Sequence, residues 1–174
     1  SNREQLKKYL LQNPTTQQHN LSISGGGVNN TYYLAANYSK DVPIYKSNYG
    51  QTYSLTSNLT NDFWNKRISV ATNINYINSK SQVNNAAIRA LSQGPFGFAP
   101  YEMLADANGN PISKPIAFTQ RVSDSLARVG YLPWTYNAVD ELNYNNTILS
   151  KNSLRVTSSI KGVVTSWLSL NVSG

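Results

Sequence analysis

Five carboxylates, one imidazole and a group of aromatic rings are the residues of this chain with usable chemistry. Glu102, Asp106, Asp124, Asp140 and Glu141 are the residue types of a glycosidase, which needs two carboxyl groups held about 5–9 Å apart across the scissile bond. They follow no fixed spacing and lie in one long irregular stretch, so they read as solvated charge. Asp106-Ala107-Asn108-Gly109-Asn110 has some calcium-loop character, but its Gly comes too early and no Glu follows at the required interval. Asn108-Gly109 flanked by hydrophobic residues is instead a strong hairpin-turn signal. His19 is the only histidine and there is no cysteine. A histidine metal cluster, an imidazole acid–base pair, a cysteine-ligated metal and a disulfide framework are therefore excluded, and no metal or cofactor is expected. No phosphate-cradling glycine loop or nucleophile elbow occurs, and no catalytic residue is assigned.

The rings are more informative. Gln93-Gly94-Pro95-Phe96-Gly97-Phe98-Ala99-Pro100-Tyr101 joins prolines to three aromatics, and Tyr131, Trp134, Tyr136 and Tyr144 follow. A solvated loop needs no such apolar content. These rings are expected to pack, with burial of Trp134 and its neighbours helping to order the loop. The surfaces available are the loop itself, the body that carries it, or a partner; stacking on a bound ligand is the second reading. Phe96, Phe98, Tyr101, Trp134 and Tyr136 are the candidate contact residues.

The elements that position them read as strands. Over 63–78, Trp64, Lys66, Ile68, Val70, Thr72, Ile74 and Tyr76 alternate with Asn65, Arg67, Ser69, Ala71, Asn73 and Asn75, the period of a strand with one apolar and one polar face. From Trp64 to Tyr76 is roughly 40 Å at about 3.3 Å per residue. Tilted by ~40° this gives a band of roughly 30 Å, near the ~25 Å apolar belt of an outer-membrane barrel. Similar alternation marks strands near 18–25, 31–40, 51–60, 153–163 and 166–174, with a tight turn at Asn61-Asp62. Residues 3–12 read as a short amphipathic helix. Within the long connection 79–152, residues 84–92 should be helical, and 112–118 should be extended and return from the Asn108-Gly109 turn. The fold class is all-β: an antiparallel meander of about six long strands. Short connections (25–30, 61–62, 163–165) alternate with long ones (41–50, 79–152), so the short turns gather at one end of the sheet. Barrels of the outer membrane have this asymmetry.

Composition agrees. Only 13% of the 174 residues are charged and 40% are hydrophobic, with a mean hydropathy of -0.42. A surface rich in Asn, Ser, Thr and Tyr suits a polar lumen, and equally a sugar-binding or adhesive β-protein. The net charge is +7, but Lys and Arg are scattered and form no basic patch, so nucleic acid is not an expected partner. No run of 18 apolar residues occurs, which excludes a transmembrane helix.

Thr16-Gln17-Gln18-His19-Asn20-Leu21-Ser22-Ile23-Ser24-Gly25-Gly26, followed by Thr31-Tyr32-Tyr33 and a strand ending in Tyr38, resembles a segment of the SusC/RagA-like TonB-linked outer-membrane transporters of Bacteroidetes. Pro100-Tyr101-Glu102-Met103-Leu104-Ala105-Asp106-Ala107-Asn108-Gly109-Asn110-Pro111 and Tyr131-Leu132-Pro133-Trp134-Thr135-Tyr136-Asn137-Ala138-Val139-Asp140-Glu141-Leu142 resemble two further segments in the family's order, with Ala138 standing where proline is common. The resemblance implies a piece of the early part of a 22-stranded transmembrane barrel, the plug and TonB box being expected outside this stretch. It also implies an outer-membrane location, a SusD-like surface lipoprotein as lid, TonB as partner through other parts of the protein, and an oligosaccharide or peptide substrate. On this reading Arg67, Asn73, Asn75, Arg155 and Lys161 face the lumen, while Ile68, Val70, Ile74, Leu154, Val156 and Ile160 face the lipid bilayer. The rival readings are a secreted β-sandwich that binds carbohydrate and an adhesin.

Overall fold

The computed structural model of the chain describes residues 2–92, 94–132 and 134–174; Gln93 and Pro133, members of two segments quoted above, lie outside the described residues. In chain order the elements are helix α1 (Asn2–Leu10), strands β1 (Thr15–Gly26), β2 (Asn30–Val42), β3 (Tyr49–Phe63) and β4 (Ile68–Val83), helix α2 (Ala86–Leu91), strand β5 (Lys114–Pro115), helix α3 (Gln120–Arg128), strand β6 (Thr135–Tyr136), helix α4 (Ala138–Tyr144), and strands β7 (Thr147–Thr165) and β8 (Leu168–Ser173). They divide into two compact units. One is the sheet, formed by Thr16–Asp41, Gly50–Ser81 and Leu149–Gly174, and the other takes in the rest of the chain.

The sheet is a six-stranded antiparallel meander in the order β1-β2-β3-β4-β7-β8. Residues opposite one another in an antiparallel ladder point to the same face, so register decides what each face carries. Between β2 and β3, Leu34 lies opposite Ser57, Ala36 opposite Leu55 and Tyr38 opposite Tyr53; the other face pairs Tyr33 with Asn58, Ala35 with Thr56 and Asn37 with Ser54. Side-chain bonds extend the polar face to β4: Asn73 Nδ2 donates to Asn58 Oδ1, Asn75 Nδ2 to Thr56 Oγ1 at 3.1 Å, and Thr52 Oγ1 to Ser79 Oγ at 3.2 Å. Between β4 and β7, on the other face, the Thr72 and Ser158 hydroxyls are 3.5 Å apart and Asn78 Nδ2 donates to Asn152 Oδ1. Six residues forward on one strand are answered by six back on the other. This register sets Ile74 opposite Val156 and Val70 opposite Ile160. Ile160 in turn pairs with Val172 and Gly162 with Leu170, before a bulge between Val163 and Thr165.

One face therefore gathers the apolar side chains of all six strands, and among the described residues nothing covers it. Leu21, Ile23, Leu154, Val156, Ile160, Leu170 and Val172 are each more than half exposed, and Ala35 is the only buried hydrophobic residue on these six strands among the described residues.

The elements differ from the sequence expectation in phase and length. The fourth strand begins at Ile68 instead of 63, and the Asn61-Asp62 turn is not there: Asn61 pairs with Asn30 inside the ladder. The chain reverses instead over 64–67, where Trp64, Asn65 and Lys66 take positive φ of 50°, 54° and 65°. Alternation of residue types cannot report this, because a left-handed turn leaves the sequence pattern untouched. Trp64 and Lys66 are thus turn residues. The strand expected at 153–163 runs over Thr147–Thr165 and the one at 166–174 over Leu168–Ser173. The strands expected at 18–25, 31–40 and 51–60 each extend beyond those bounds, and the long connection shrinks from 79–152 to 84–146. Turns at 27–29, 64–67 and 166–167 lie at one end of the sheet; connections 43–48 and 84–146 leave from the other. At the first turn, a Cβ on Gly25 would sit 2.5 Å from the Tyr32 hydroxyl oxygen, so only glycine lets that ring lie across the ladder.

The second unit holds the chain's apolar core: Leu10, Ala86, Ala87, Ala90, Leu104, Tyr136, Ala138 and Leu142. Small residues on α2 let the other elements approach closely, and amides tie them. Asn84 is fully buried. Its Nδ2 donates to Glu141 O, Leu142 O and Asn146 Oδ1 at 2.9–3.1 Å, and its Oδ1 accepts from Ala86 N–H at 2.8 Å. Asn48 completes the hub, accepting from Asn84 N–H at 2.7 Å and donating back to Asn84 O at 3.0 Å. α2 is shorter than the expected 84–92, and of 112–118 only Lys114–Pro115 pairs, with Thr135–Tyr136. Asn84→Ala leaves the Ala86 N–H and the Leu142 carbonyl unpaired in a dry site, while Glu141 O keeps the Asn145 N–H; each unsatisfied group costs about 1–3 kcal/mol. We expect it to destabilise this unit by several kcal/mol, read as faster proteolysis within 84–146, while Asn152→Ala on the sheet leaves that rate unchanged.

Candidate functional site

The loop aromatics divide into two groups. One is interior. The first face of α1 holds the segment that presents them: Gln5 Oε1 accepts from Leu104 and Ala105 N–H at 2.8 and 3.1 Å, and Gln5 Nε2 donates to Ala105 O at 2.8 Å. Asn2 Nδ2 donates to Ala99 O at 3.2 Å and also to Glu102 O. Glu102 Oε2 accepts from Ala99 N–H at 2.8 Å and from Lys114 Nζ at 3.0 Å. Lys114 also donates to Gly97 O, and its ammonium lies 4.9 Å from the centre of the Phe98 ring. Phe96 meets Tyr136 edge to face at 5.1 Å with Arg89 over its ring, and Tyr136 OH donates to Ala86 O at 3.4 Å. Tyr136 is only 6% exposed. Burial, and next the nearby Glu141, push its hydroxyl pKa up, against Arg89. Phe96, Phe98 and Tyr136 are thus packing residues of the loop itself.

The other group stands out. Tyr101 is 84% exposed and Trp134 60%, beside exposed Val129, Tyr131, Leu132 and Tyr144. The expected burial of Trp134 is not found. The alanine-lined interior is filled by Tyr136 and Phe96, and the backbone of Trp134 is fixed by accepting Ile116 N–H at 3.0 Å, so its indole is left outside.

The carboxylates sit on separate elements. Glu102 is tied to Lys114, Asp124 to Gln120 at 2.8 Å on α3, and Asp140 and Glu141 occupy the first turn of α4. Asp106 Oδ1 accepts from Asn108 and Asn110 N–H, both at 2.9 Å, and Oδ2 from Asn110 Nδ2 at 3.0 Å. The Asn110 side chain, then its backbone N–H, lowers the Asp106 pKa; with Gly109 at φ 87°, the segment is a turn knitted by its own carboxylate.

On the sheet, Asn73 and Asn75 join the polar face through Asn58 and Thr56, and Lys161 does so opposite Asn171. Alternation between Leu154 and Val156 puts Arg155 there as well. Arg67 precedes the strand itself. It lies in the 64–67 turn, its N–H donating to Trp64 O at 3.2 Å and its carbonyl accepting Val163 N–H at 2.7 Å. The apolar face carries a feature the sequence reading missed, an aromatic row crossing neighbouring strands. His19 stacks on Tyr38 at 6.1 Å, with ring planes 9° apart, and Tyr38 lies 4.8 Å from Tyr53. With Leu21, Ala36, Leu55 and Tyr76 these rings line a depression of about 500 Å³. Counting outward from the Gly27–Asn30 bond that closes the first turn would have revealed the first pair, since His19 and Tyr38 each lie eight residues from it.

No protein-family model matches the chain, and a search of curated proteins finds no match.

The Ala99 N–H bond is the main reason the Glu102 pKa falls below its ordinary 4.5; burial opposes this, and the Lys114 bond and charge assist it. A folded value below the unfolded one stabilises at pH above about 4.5, and that contribution is lost as pH falls through the lowered value. Proteolysis within 84–146 should therefore accelerate on acidification below pH 4.5. Glu102→Gln should be faster at neutral pH and should flatten that acid limb.

Proposed function

We propose that this chain is a stretch of barrel wall from an outer-membrane TonB-linked nutrient importer of the SusC/RagA-like kind, without enzymatic chemistry of its own. It takes up glycan or peptide in concert with a SusD-like lipoprotein lid. The observation that carries the reading is the continuous, uncovered apolar face of the sheet. On β3 that face is bounded by Tyr53 and Phe63, with Leu55, Ser57, Leu59 and Asn61 between them. Ten residue steps are roughly 33 Å of strand, or about 25 Å when tilted by ~40°, the height of the apolar belt between aromatic girdles.

Three further observations support it. The opposite face is polar and weakly charged, as a lumen or plug-facing wall is. β1 and β8 each leave one edge unpaired, and a membrane-spanning sheet closes only with at least eight strands. Short turns lie at one end and the two longer connections leave from the other; Tyr101 and Trp134, exposed on the longest of these, are available to a lid. A carbohydrate-binding sandwich needs a second sheet over the apolar face; the other sheet among the described residues, β5 with β6, has two residues per strand.

Neighbouring positions on β7 test the assignment of faces. Val156 lies opposite Ile74 near the middle of the belt, so Val156→Arg should cost about 2–4 kcal/mol of membrane insertion. Thr157→Arg, on the polar face, should insert like the unmodified chain. The readout is the fraction of protein in outer-membrane vesicles that resists urea extraction. Equal insertion of the two variants would overturn the proposal.

A further inference from the structure

The apolar face of the sheet carries Lys40 and Lys80 near the end from which the long connections leave. Lys40 lies opposite Gln51, on the face of Tyr38 and Tyr53. The Thr52–Ser79, Thr56–Asn75 and Asn58–Asn73 contacts hold one register between β3 and β4, which sets Lys80 opposite Gln51 from the other side. Lys40, Gln51 and Lys80 thus form a row two residues beyond the aromatic row. The two lysine backbones are about 10 Å apart, at ~4.8 Å per strand, so their four-carbon stems can bring both ammonium groups to one anion over Gln51.

Nothing on this face neutralises them. Among the described residues neither amine has an ion-pair or hydrogen-bond partner. The nearest carboxylates in sequence belong to the opposite face: Asp41 accepts from Thr16 Oγ1 at 2.7 Å, and Asp62 from Ser69 Oγ at 2.5 Å. Toward the turns lies the apolar depression of about 500 Å³ beneath the aromatic row.

We infer that this is a binding site for an acyl lipid with a phosphomonoester head group in the leaflet around the long-connection end. Lys40 and Lys80 clasp the phosphate, Gln51 donates to it from below, and an acyl chain lies along Leu21, Ala36, Leu55 and Tyr76. The site rests on the proposal that this face meets lipid. It goes further by requiring a particular charge on that lipid: a lone lysine reaching for an interface serves any head group, whereas an unneutralised pair flanking a single donor fits a divalent anion.

The test uses the detergent-solubilised protein, reconstituted into phosphatidylcholine vesicles doped with a monophosphorylated acylated glucosamine disaccharide or its dephosphorylated form. Lipid retained after re-extraction is weighed by mass spectrometry. The phosphorylated lipid should be retained about tenfold more, equivalent to ~1.4 kcal/mol, with millimolar inorganic phosphate failing to displace it. Lys40→Gln/Lys80→Gln should abolish the preference without changing urea-resistant insertion. Equal retention of the two lipids, a preference surviving in the double variant, or displacement by inorganic phosphate would each overturn the site while leaving insertion, and the importer reading, standing. Failure of the chain to insert in either vesicle would overturn both.

Discussion

Antiparallel pairing in one unbroken register is the constraint on which the rest of the structure depends. Side chains alternate along every strand, so a slip of one residue at any of the five interfaces would send half the apolar set to the polar side. The register is held from both sides. The Asn73–Asn58 and Asn75–Thr56 contacts fix it on the polar face, and the Tyr38–Tyr53 stack and the Asn78–Asn152 bond fix it on the apolar face. The outcome is a sheet whose polar face satisfies itself through short uncharged side chains, while its apolar face finds no partner among the described residues. A soluble protein pays heavily for such a surface; in a bilayer it is the required one.

The rest of the chain solves the opposite problem. A connection of 84–146 carries too many apolar rings to stay solvated and too few large aliphatics to build an ordinary core. Alanines on α2 allow close approach, and buried amides replace missing volume with directed bonds. Asn84, Asn48 and Gln5 bind backbone groups that would otherwise be unpaired inside. Such a network specifies one arrangement, because amide geometry tolerates little displacement. It holds the 99–105 segment and the Trp134 region as defined surfaces.

Much of this was legible in the sequence. Period-2 alternation over several long stretches announced the meander, and the spacing of turns announced that short connections gather at one end. The limits were physical. Alternation has no marker for a left-handed turn, so the phase of the fourth strand was lost at Trp64–Lys66 and Arg67 was set in the strand. Two helices carry their signals at their starts. Asn137 accepts from Val139 and Asp140 N–H at the start of α4, with Asp140 and Glu141 in its first turn, the pattern of a capped helix. Thr119 precedes α3, where Val122 and Leu126 fall at helical spacing. The loop rings were recognised as a group but not sorted, since which ring fills a small alanine-lined interior depends on contacts far apart in sequence. The aromatic row was hidden for the same reason: it exists only across strands.

The central claim is that lipid, and not protein, covers the apolar face of the sheet. Sedimentation of the 174-residue chain with and without detergent measures this most directly. A monodisperse species is expected only when micelles are present, with self-association through the uncovered face and the open edges of β1 and β8 in their absence. A detergent-free monomer that unfolds in one cooperative transition would contradict it.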